Sequence, residues 1–448
     1  MTMISNDLAG LYPEHLARLQ QYYSEAAILA GCAGVLIASG TLQPCFLDDH
    51  HYPFVVNPHF KAWLPLVDVP DSFLLIRSGH KPRLLYSQPE DYWHLTPAAP
   101  QGFWVDHWEI QSIQSLQDAQ RLIGDPQNLL FIGEQVDLAR EWGMSAINTP
   151  AALSALHYER AYKTNYEIAC LRRANQIAVK GHSVAETSFR AGQSEFEIAH
   201  AYLGAIQHRE QQAPYGAIVA QNEHCAVLHY QFYAQQRLAS ADLNSLLIDA
   251  GASFHGYAAD ITRTYAARSG IFQDLVTSLD QHHLGIINDI QVGMNYADLH
   301  EKMHRRIGQL LLESGCVNMS VDEMLETNLT FSFLPHGLGH FLGLQTHDVG
   351  GFQQSRQGEE KSAPEKYPAL RLTRDIQNQQ VFTIEPGLYF IPMLLGKLKQ
   401  GPHQAKINWS MIDELLPYGG IRIEDNIVIQ DNLPVNLTRL AMAEHRQP

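Results

Sequence analysis

Residues 245–265 read S-L-L-I-D-A-G-A-S-F-H-G-Y-A-A-D-I-T-R-T-Y. Apolar, strand-like stretches carry two aspartates, Asp249 and Asp260, on either side of Gly256. The pattern predicts a hairpin whose turn is centred on Phe254 and His255, with Gly256 free to take an unusual backbone angle. In that register Asp249 and Asp260 are direct cross-strand partners, their Cβ atoms ~5 Å apart. Like charges held so close in a half-buried sheet repel and lose hydration, which is unfavourable unless something positive lies between them. A divalent cation is the simplest candidate.

Further along the chain His340 closes P-H-G-L-G-H, Glu385 lies in V-F-T-I-E-P-G-L-Y-F, and Glu424 lies in G-I-R-I-E-D-N-I-V-I. Four carboxylates and one imidazole form an oxygen-rich donor set, suited to manganese, magnesium, cobalt or zinc rather than to thiolate-seeking metals. Four ionised carboxylates are half compensated by one divalent ion and balanced by two, which favours a dinuclear site. Singly, an acidic residue in a strand is commonly an edge or turn residue, and a lone histidine a satisfied polar group. Together they have no cheap structural explanation, because each buried charge needs a partner. Arg422 alternates in phase with Glu424, so both side chains face the same side of one strand, where a guanidinium suits a terminal carboxylate.

A chain of 448 residues exceeds one ordinary core and predicts two domains. With 47 acidic against 31 basic side chains the formal charge is −16, so neither nucleic acid nor an anionic membrane is an expected partner. The amino terminus lacks a basic stretch followed by an apolar one, and no apolar run reaches the ~18 residues of a spanning helix, which predicts a cytoplasmic protein. Cys32, Cys45, Cys170, Cys225 and Cys316 are scattered, with no C-x-x-C, and read as reduced thiols.

The overall class is α/β (α+β). Residues 1–157 alternate apolar runs (34–38, 73–76, 129–132) with helix-like segments such as 14–30, predicting a small α/β domain. Residues 158–448 form the second domain. Thr164 with Glu167 and Ser194 with Glu197 make capping boxes that open long helices. Strands bearing the acidic residues then alternate with helices near 271–290 and 297–314, a mixed sheet packed by helices, and residues 353–366 read as an exposed loop.

His300, Glu301 and His304 spell H-E-x-x-H, the zinc-protease signature. With 23 histidines in the chain, a chance match to so short a pattern is unremarkable. Leu299, Met303, Ile307 and Leu310 define the apolar face of that helix and leave both histidines on its flank, with no third ligand at a recognisable spacing. Neither a G-x-S-x-G elbow nor a G-x-x-x-x-G-K-[ST] loop is present.

The motifs carry a wider resemblance. F-L-D-D-H-H-Y-P-F from Phe46, D-Y-W-H from Asp91, N-E-H-C-A-V-L-H-Y from Asn222, D-A-G-A, A-A-D-I-T-R-T, P-H-G-L-G-H-F-L-G-L-Q-T-H-D-V-G-G-F, I-E-P-G-L-Y-F-I and G-G-I-R-I-E-D-N occur in this order. The chain resembles the pita-bread metallopeptidases, in particular their bacterial Xaa-Pro dipeptidase (prolidase) branch, close to the organophosphorus acid anhydrolases. The resemblance implies a creatinase-like N-terminal domain that makes dimer and pocket contacts, followed by a pita-bread (creatinase/aminopeptidase-like) catalytic domain. It implies two Mn2+ per subunit, replaceable by Co2+, Zn2+ or Mg2+, held by Asp249, Asp260, His340, Glu385 and Glu424. A metal-bridging hydroxide would attack the amide before proline, Glu385 would relay the proton to the leaving nitrogen, and His229, His336 and His347 would hold the carbonyl or the tetrahedral intermediate. Arg422 would take the substrate carboxylate, and Tyr215, Trp93 and Asp49 would line the pocket, the last two possibly from the partner subunit of a homodimer. Weak hydrolysis of organophosphate triesters is a further expectation. The competing readings are an Xaa-Pro aminopeptidase acting on longer peptides and a catalytically inactive pita-bread binding protein.

Overall fold

The structure, a computed structural model, describes residues 7–446. The amino-terminal stretch read above for a leader therefore begins outside the described residues. The chain divides into two compact units, one comprising Met1–Cys170 with Phe254–Tyr257 and Gln353–Glu360, the other Leu171–Ser253, Ala258–Phe352 and Lys361–Pro448.

In the first unit the helix Leu8–Leu29 is capped by Asp7, whose carboxylate accepts the Gly10 N–H at 3.0 Å. A five-stranded sheet follows, with β1 (Gly34–Ala38), β2 (Phe73–Arg77), β3 (Arg83–Ser87), β4 (Glu109–Ile113) and β5 (Leu129–Ile132) in the order β4-β3-β2-β1-β5. β1 runs antiparallel to β2 and parallel to β5, and its continuous apolar run matches a central strand buried on both faces. Leu36, Phe73, Leu85 and Phe131 meet Trp142 in the core beneath it.

The second unit contains β6 (Ile218–Gln221), β7 (Ser245–Asp249), β8 (Ser253–Phe254), β9 (Tyr257–Ala258), β10 (Thr262–Ala266), β11 (Val381–Ile384), β12 (Gly387–Tyr389), β13 (Gly420–Arg422), β14 (Asp425–Gln430) and β15 (Leu433–Asn436), although the β8–β9 tip, residues 254–257, belongs to the first. One sheet has the order β10-β7-β6 and another β11-β14-β15, while β12 pairs with β13. A bridge between Thr262 and Glu424 joins the first two sheets, the Glu424 N–H donating to the Thr262 carbonyl at 3.1 Å. Both predicted capping boxes form, at Thr164–Glu167 before the helix Asn165–Arg190 and at Ser194–Glu197 before Glu195–Ile206. The helices Ile271–Asn288 and Tyr296–Glu313 back the β11 sheet, with His283 Nε2 at 2.9 Å from the Ile384 carbonyl and the Tyr296 hydroxyl donating to Thr383 at 2.7 Å.

The hairpin register differs from the sequence expectation. His255 and Gly256 have φ of 50° and 85°, the two consecutive left-handed residues of a type I′ turn, so the turn is centred one residue later. Asp249 consequently pairs with Thr262. The ladder continues from the Ala250 N–H to Ile261 (3.0 Å) and from the Ala259 N–H to Ala252 (2.9 Å), which sets Asp260 opposite Gly251. A Cβ at residue 251 would lie 2.0 Å from the Ala259 carbonyl oxygen, so only glycine fits there. Moving the turn by one residue moves every partner by two, and both aspartates keep the same face.

Candidate active site

Each predicted donor stands at a strand end of the second unit or in the loop beside it. Asp249 ends β7, Asp260 precedes β10, Glu385 follows β11, Glu424 precedes β14, and His340 comes from the loop before β11. All five line one cavity of about 290 Å³, together with His229, His336, His347, Arg371 and Arg422. Donor atoms of Asp260, His340 and Glu424 lie within 4.8 Å of one another, and all three residues are buried. His340 Nδ1 donates to the Phe341 carbonyl at 2.9 Å, which fixes the tautomer. Its Nε2 faces Asp260 Oδ2 at 3.4 Å and Glu385 Oε1 at 3.8 Å, and against the opposing effect of burial these carboxylates raise its pKa, so that without a cation this nitrogen favours a proton and with one it is the free ligand atom. The Tyr215 hydroxyl lies 2.8 Å from Asp249 Oδ1 and 2.6 Å from Asp260 Oδ1, a single proton shared between two carboxylates.

The charges are frustrated without a cation. Burial, reinforced by Asp260 and Asp249, pushes Glu385 up to about 7 against the opposing pull of His340 and Arg422. Burial and the other three carboxylates raise Glu424 well above the usual range. Asp249 is raised by burial despite Arg422, whereas at Asp260 the upward push of burial is outweighed by hydrogen bonding and charge from His340. Oxygen donors with one imidazole and a surplus of negative charge fit hard or borderline divalent ions.

The sequence matches the Xaa-Pro dipeptidase N-terminal domain over residues 10–158 and metallopeptidase family M24 over residues 169–431. The chain belongs to family M24, in its Xaa-Pro dipeptidase branch. It is 49% identical to the Xaa-Pro dipeptidase of Aeromonas hydrophila subsp. hydrophila, an alignment covering 96% of this chain and 98% of the relative. It is 46% identical to the Xaa-Pro dipeptidase of Pseudoalteromonas translucida, over 96% and 98% of the two chains. The fold is similar to that of zinc-substituted E. coli aminopeptidase P in complex with product, with a TM-score of 0.69 at 23% identity over 96% of this chain and 99% of that one. Proline aminopeptidase P II from Yersinia pestis gives a TM-score of 0.68 at 22% identity over 95% and 99%. This M24 chain is therefore a metal-dependent peptide hydrolase with the N-terminal-plus-pita-bread architecture expected from the sequence.

Within the M24 cavity, Arg422 is 4% exposed and already engaged. It donates from Nη2 to Asp249 Oδ2 (2.8 Å), from Nη1 to the Tyr389 hydroxyl (2.9 Å) and from Nε to Thr262 Oγ1 (3.3 Å), which leaves two of its five N–H groups without an acceptor among the described residues. His336 is likewise occupied: Nδ1 donates to the Gly337 carbonyl and Nε2 accepts from the Tyr389 hydroxyl, both at 2.8 Å. Burial, then Arg422, lowers its pKa to about 4, so it is neutral. His229 and His347 are more open on the cavity wall.

Sequence reasoning missed Tyr389, Thr262 and Arg371. Thr262 was legible, since it shares strand phase with Asp260, and its hydroxyl donates to Glu424 Oε2 at 2.8 Å. Tyr389 stands beyond the Pro-Gly break after Glu385, which erases the strand phase. Arg371 sits in irregular chain, exposed at the cavity mouth, with no hydrogen bond or ion pair to another described residue.

Asp49 and Trp93 lie on exposed loops of the first unit, the Asp49 side chain 95% exposed and Trp93 76%. Asp49 belongs to an exposed cluster with Asp48 and His50. The flank position expected for the H-E-x-x-H histidines is corrected: His300 and His304 are buried, His304 against Thr330 Oγ1 (3.0 Å) and stacked on Phe331 and Tyr367. Among the described residues no third ligand joins them.

Proposed function

We propose that this chain is a cytoplasmic dipeptidase that cleaves Xaa-Pro dipeptides with two manganese ions held by Asp249, Asp260, His340, Glu385 and Glu424. The observation that carries the reading is the convergence of these five side chains on one small cavity, with His340 Nε2 turned toward the carboxylates. When bound, a divalent pair polarises the scissile carbonyl and acidifies the attacking water. The chain's own residues do the rest. Glu385 is the carboxylate assigned to carry a proton toward the leaving nitrogen. His229 and His347 offer ring N–H groups to the oxygen that gains charge, while His336, committed to Tyr389 and Gly337, supports the Tyr389–Arg422 contact. Tyr215 orients the two aspartates from behind.

A dipeptide ends in a carboxylate, and two arginines border the cavity. Arg371 brings all five N–H groups and Arg422 its remaining two, so we assign the primary grip to Arg371 with Arg422 assisting. A volume of about 290 Å³ suits a substrate of two residues. In the first unit Phe46, Leu47 and Tyr52 flank Asp49, and Tyr92 and Leu95 flank Trp93, all more than half exposed. Such apolar loops suit self-association, and we assign them to a homodimer in which Asp49 and Trp93 complete the partner's pocket. Slow hydrolysis of organophosphate triesters is part of the same reading, because tetrahedral phosphorus resembles the transition state of amide attack.

The test is a manganese-supplemented assay of Gly-Pro beside Gly-Pro-Ala. The reading predicts cleavage of the dipeptide and kcat/KM at least about tenfold lower for the tripeptide, the loss expected when a charge-assisted carboxylate contact of about 1.5–3 kcal/mol is removed. Equal or faster release of glycine from the tripeptide would instead identify an aminopeptidase.

A further inference from the structure

Asp260 precedes β10, and in the hairpin it occupies a position whose N–H and C=O point away from the β7 strand. On that outer side the β10 backbone bridges to Glu424 at Thr262. From residue 425 the β14 backbone turns to pair with β11, with Asn426 opposite Thr383. No strand backbone is left for the Asp260 peptide. The Asn426 side chain takes that place: its Oδ1 accepts the Asp260 N–H at 3.1 Å and its Nδ2 donates to the Asp260 carbonyl at 2.5 Å. The amide reproduces both hydrogen bonds of an antiparallel neighbour.

The clamp is itself held. The Asn426 N–H donates to Thr438 Oγ1 at 3.0 Å, the Thr438 hydroxyl donates to Asn175 Oδ1 at 2.8 Å, and Asn175 Nδ2 donates to the Leu171 carbonyl at 3.0 Å. Asn426, Thr438 and Asn175 are all fully buried. Two residues earlier on the same chain segment, the Glu424 carbonyl accepts from Arg263 Nη1 at 2.8 Å, and Arg263 Nη2 donates to Asp425 Oδ1 at 2.6 Å. The backbones of Asp260 and Glu424 are therefore tied together through three consecutive residues, 424–426.

We infer that Asn426 is a positioning residue of the metal centre: its amide fixes the Asp260 backbone relative to Glu424 and so sets the affinity of the site for divalent ions. This inference rests on the metal reading above. An amide is required because the Asp260 peptide presents both a donor and an acceptor. Aspartate at 426 can accept but not donate, and it sets a carboxylate against the Asp260 carbonyl; serine is too short to span both atoms.

The experiment is isothermal titration of Mn2+ into chelator-treated wild type, Asn426→Asp, Asn426→Ser and the core control Leu279→Ala, with melting temperatures measured alongside. Wild type and Leu279→Ala are expected to bind with the same Kd although the control melts lower. Both Asn426 variants are expected to bind about 10- to 100-fold more weakly, the range for residues that orient metal ligands. Asn426→Ser adds no charge to the core, so it keeps folded protein available for titration where the buried carboxylate of Asn426→Asp prevents folding. Unchanged Kd in a folded Asn426 variant overturns the inference and leaves the metal reading intact. Absence of Mn2+ binding by wild type overturns both.

Discussion

Asp260→Asn is expected to lower dipeptide hydrolysis on the order of 10³-fold or more, since even residues that only orient metal ligands cost 10–100-fold. The change keeps size and shape and removes one negative charge from a buried group that faces His340 Nε2 at 3.4 Å and the Tyr215 hydroxyl at 2.6 Å. A neutral amide cannot offset the charge of a divalent ion, and its N–H₂ would turn a donor toward the lone pair that His340 offers. Bound metal should fall with activity, while the fold persists because the Asp260 backbone remains clamped by Asn426. Elemental analysis and steady-state kinetics on the same preparation check this. Wild-type turnover in the variant would remove Asp260 from the site.

Arg422→Ala is expected to destabilise the metal-free protein by about 3–5 kcal/mol, the cost of leaving one half of a buried ion pair unpaired. Asp249 would lose its only guanidinium contact among the described residues, and Tyr389 and Thr262 would each lose a donor. Metal loading should recover part of the loss, because a bound cation compensates Asp249 in place of the arginine. Denaturant unfolding of the chelated and manganese-loaded variant measures both numbers. Arg371→Ala should behave in the opposite way. Exposed and unbonded among the described residues, it should change stability by no more than about 0.5 kcal/mol, yet raise KM for dipeptides about tenfold or more. If Arg422→Ala raises KM without loss of stability and Arg371→Ala does nothing, the division of labour between the two arginines is reversed.

Much of this was legible in the chain. The runs at 34–38, 73–76 and 129–132 became strands because an apolar β-branched or leucine-rich stretch between turn residues has few other ways to bury both faces. Both capping boxes formed because their hydrogen bonds are local. The hairpin turn was misplaced by one residue because sequence pointed to Gly256 as the left-handed position and did not reveal that His255 takes φ of 50° beside it. Parity preserved the functional inference: a shift of two in pairing leaves Asp249 and Asp260 on one face. His300 and His304 were read as flank residues because Phe331 and Tyr367, which cover them, come from distant segments. For the same reason the commitment of Arg422 to Asp249, and of Asn426 to the Asp260 peptide, had no sequence signal, since both are contacts between residues more than 160 positions apart.

In the proposed function, hydrolysis depends on two divalent ions held by the five converging side chains. Titration of chelator-treated protein with Mn2+, following bound ion by electron paramagnetic resonance and Gly-Pro cleavage in the same samples, tests it most directly. Two ions per chain are expected, with activity that rises with their occupancy from a metal-free baseline near zero. Full activity in metal-free protein, or saturation at one ion with no further gain, would contradict it.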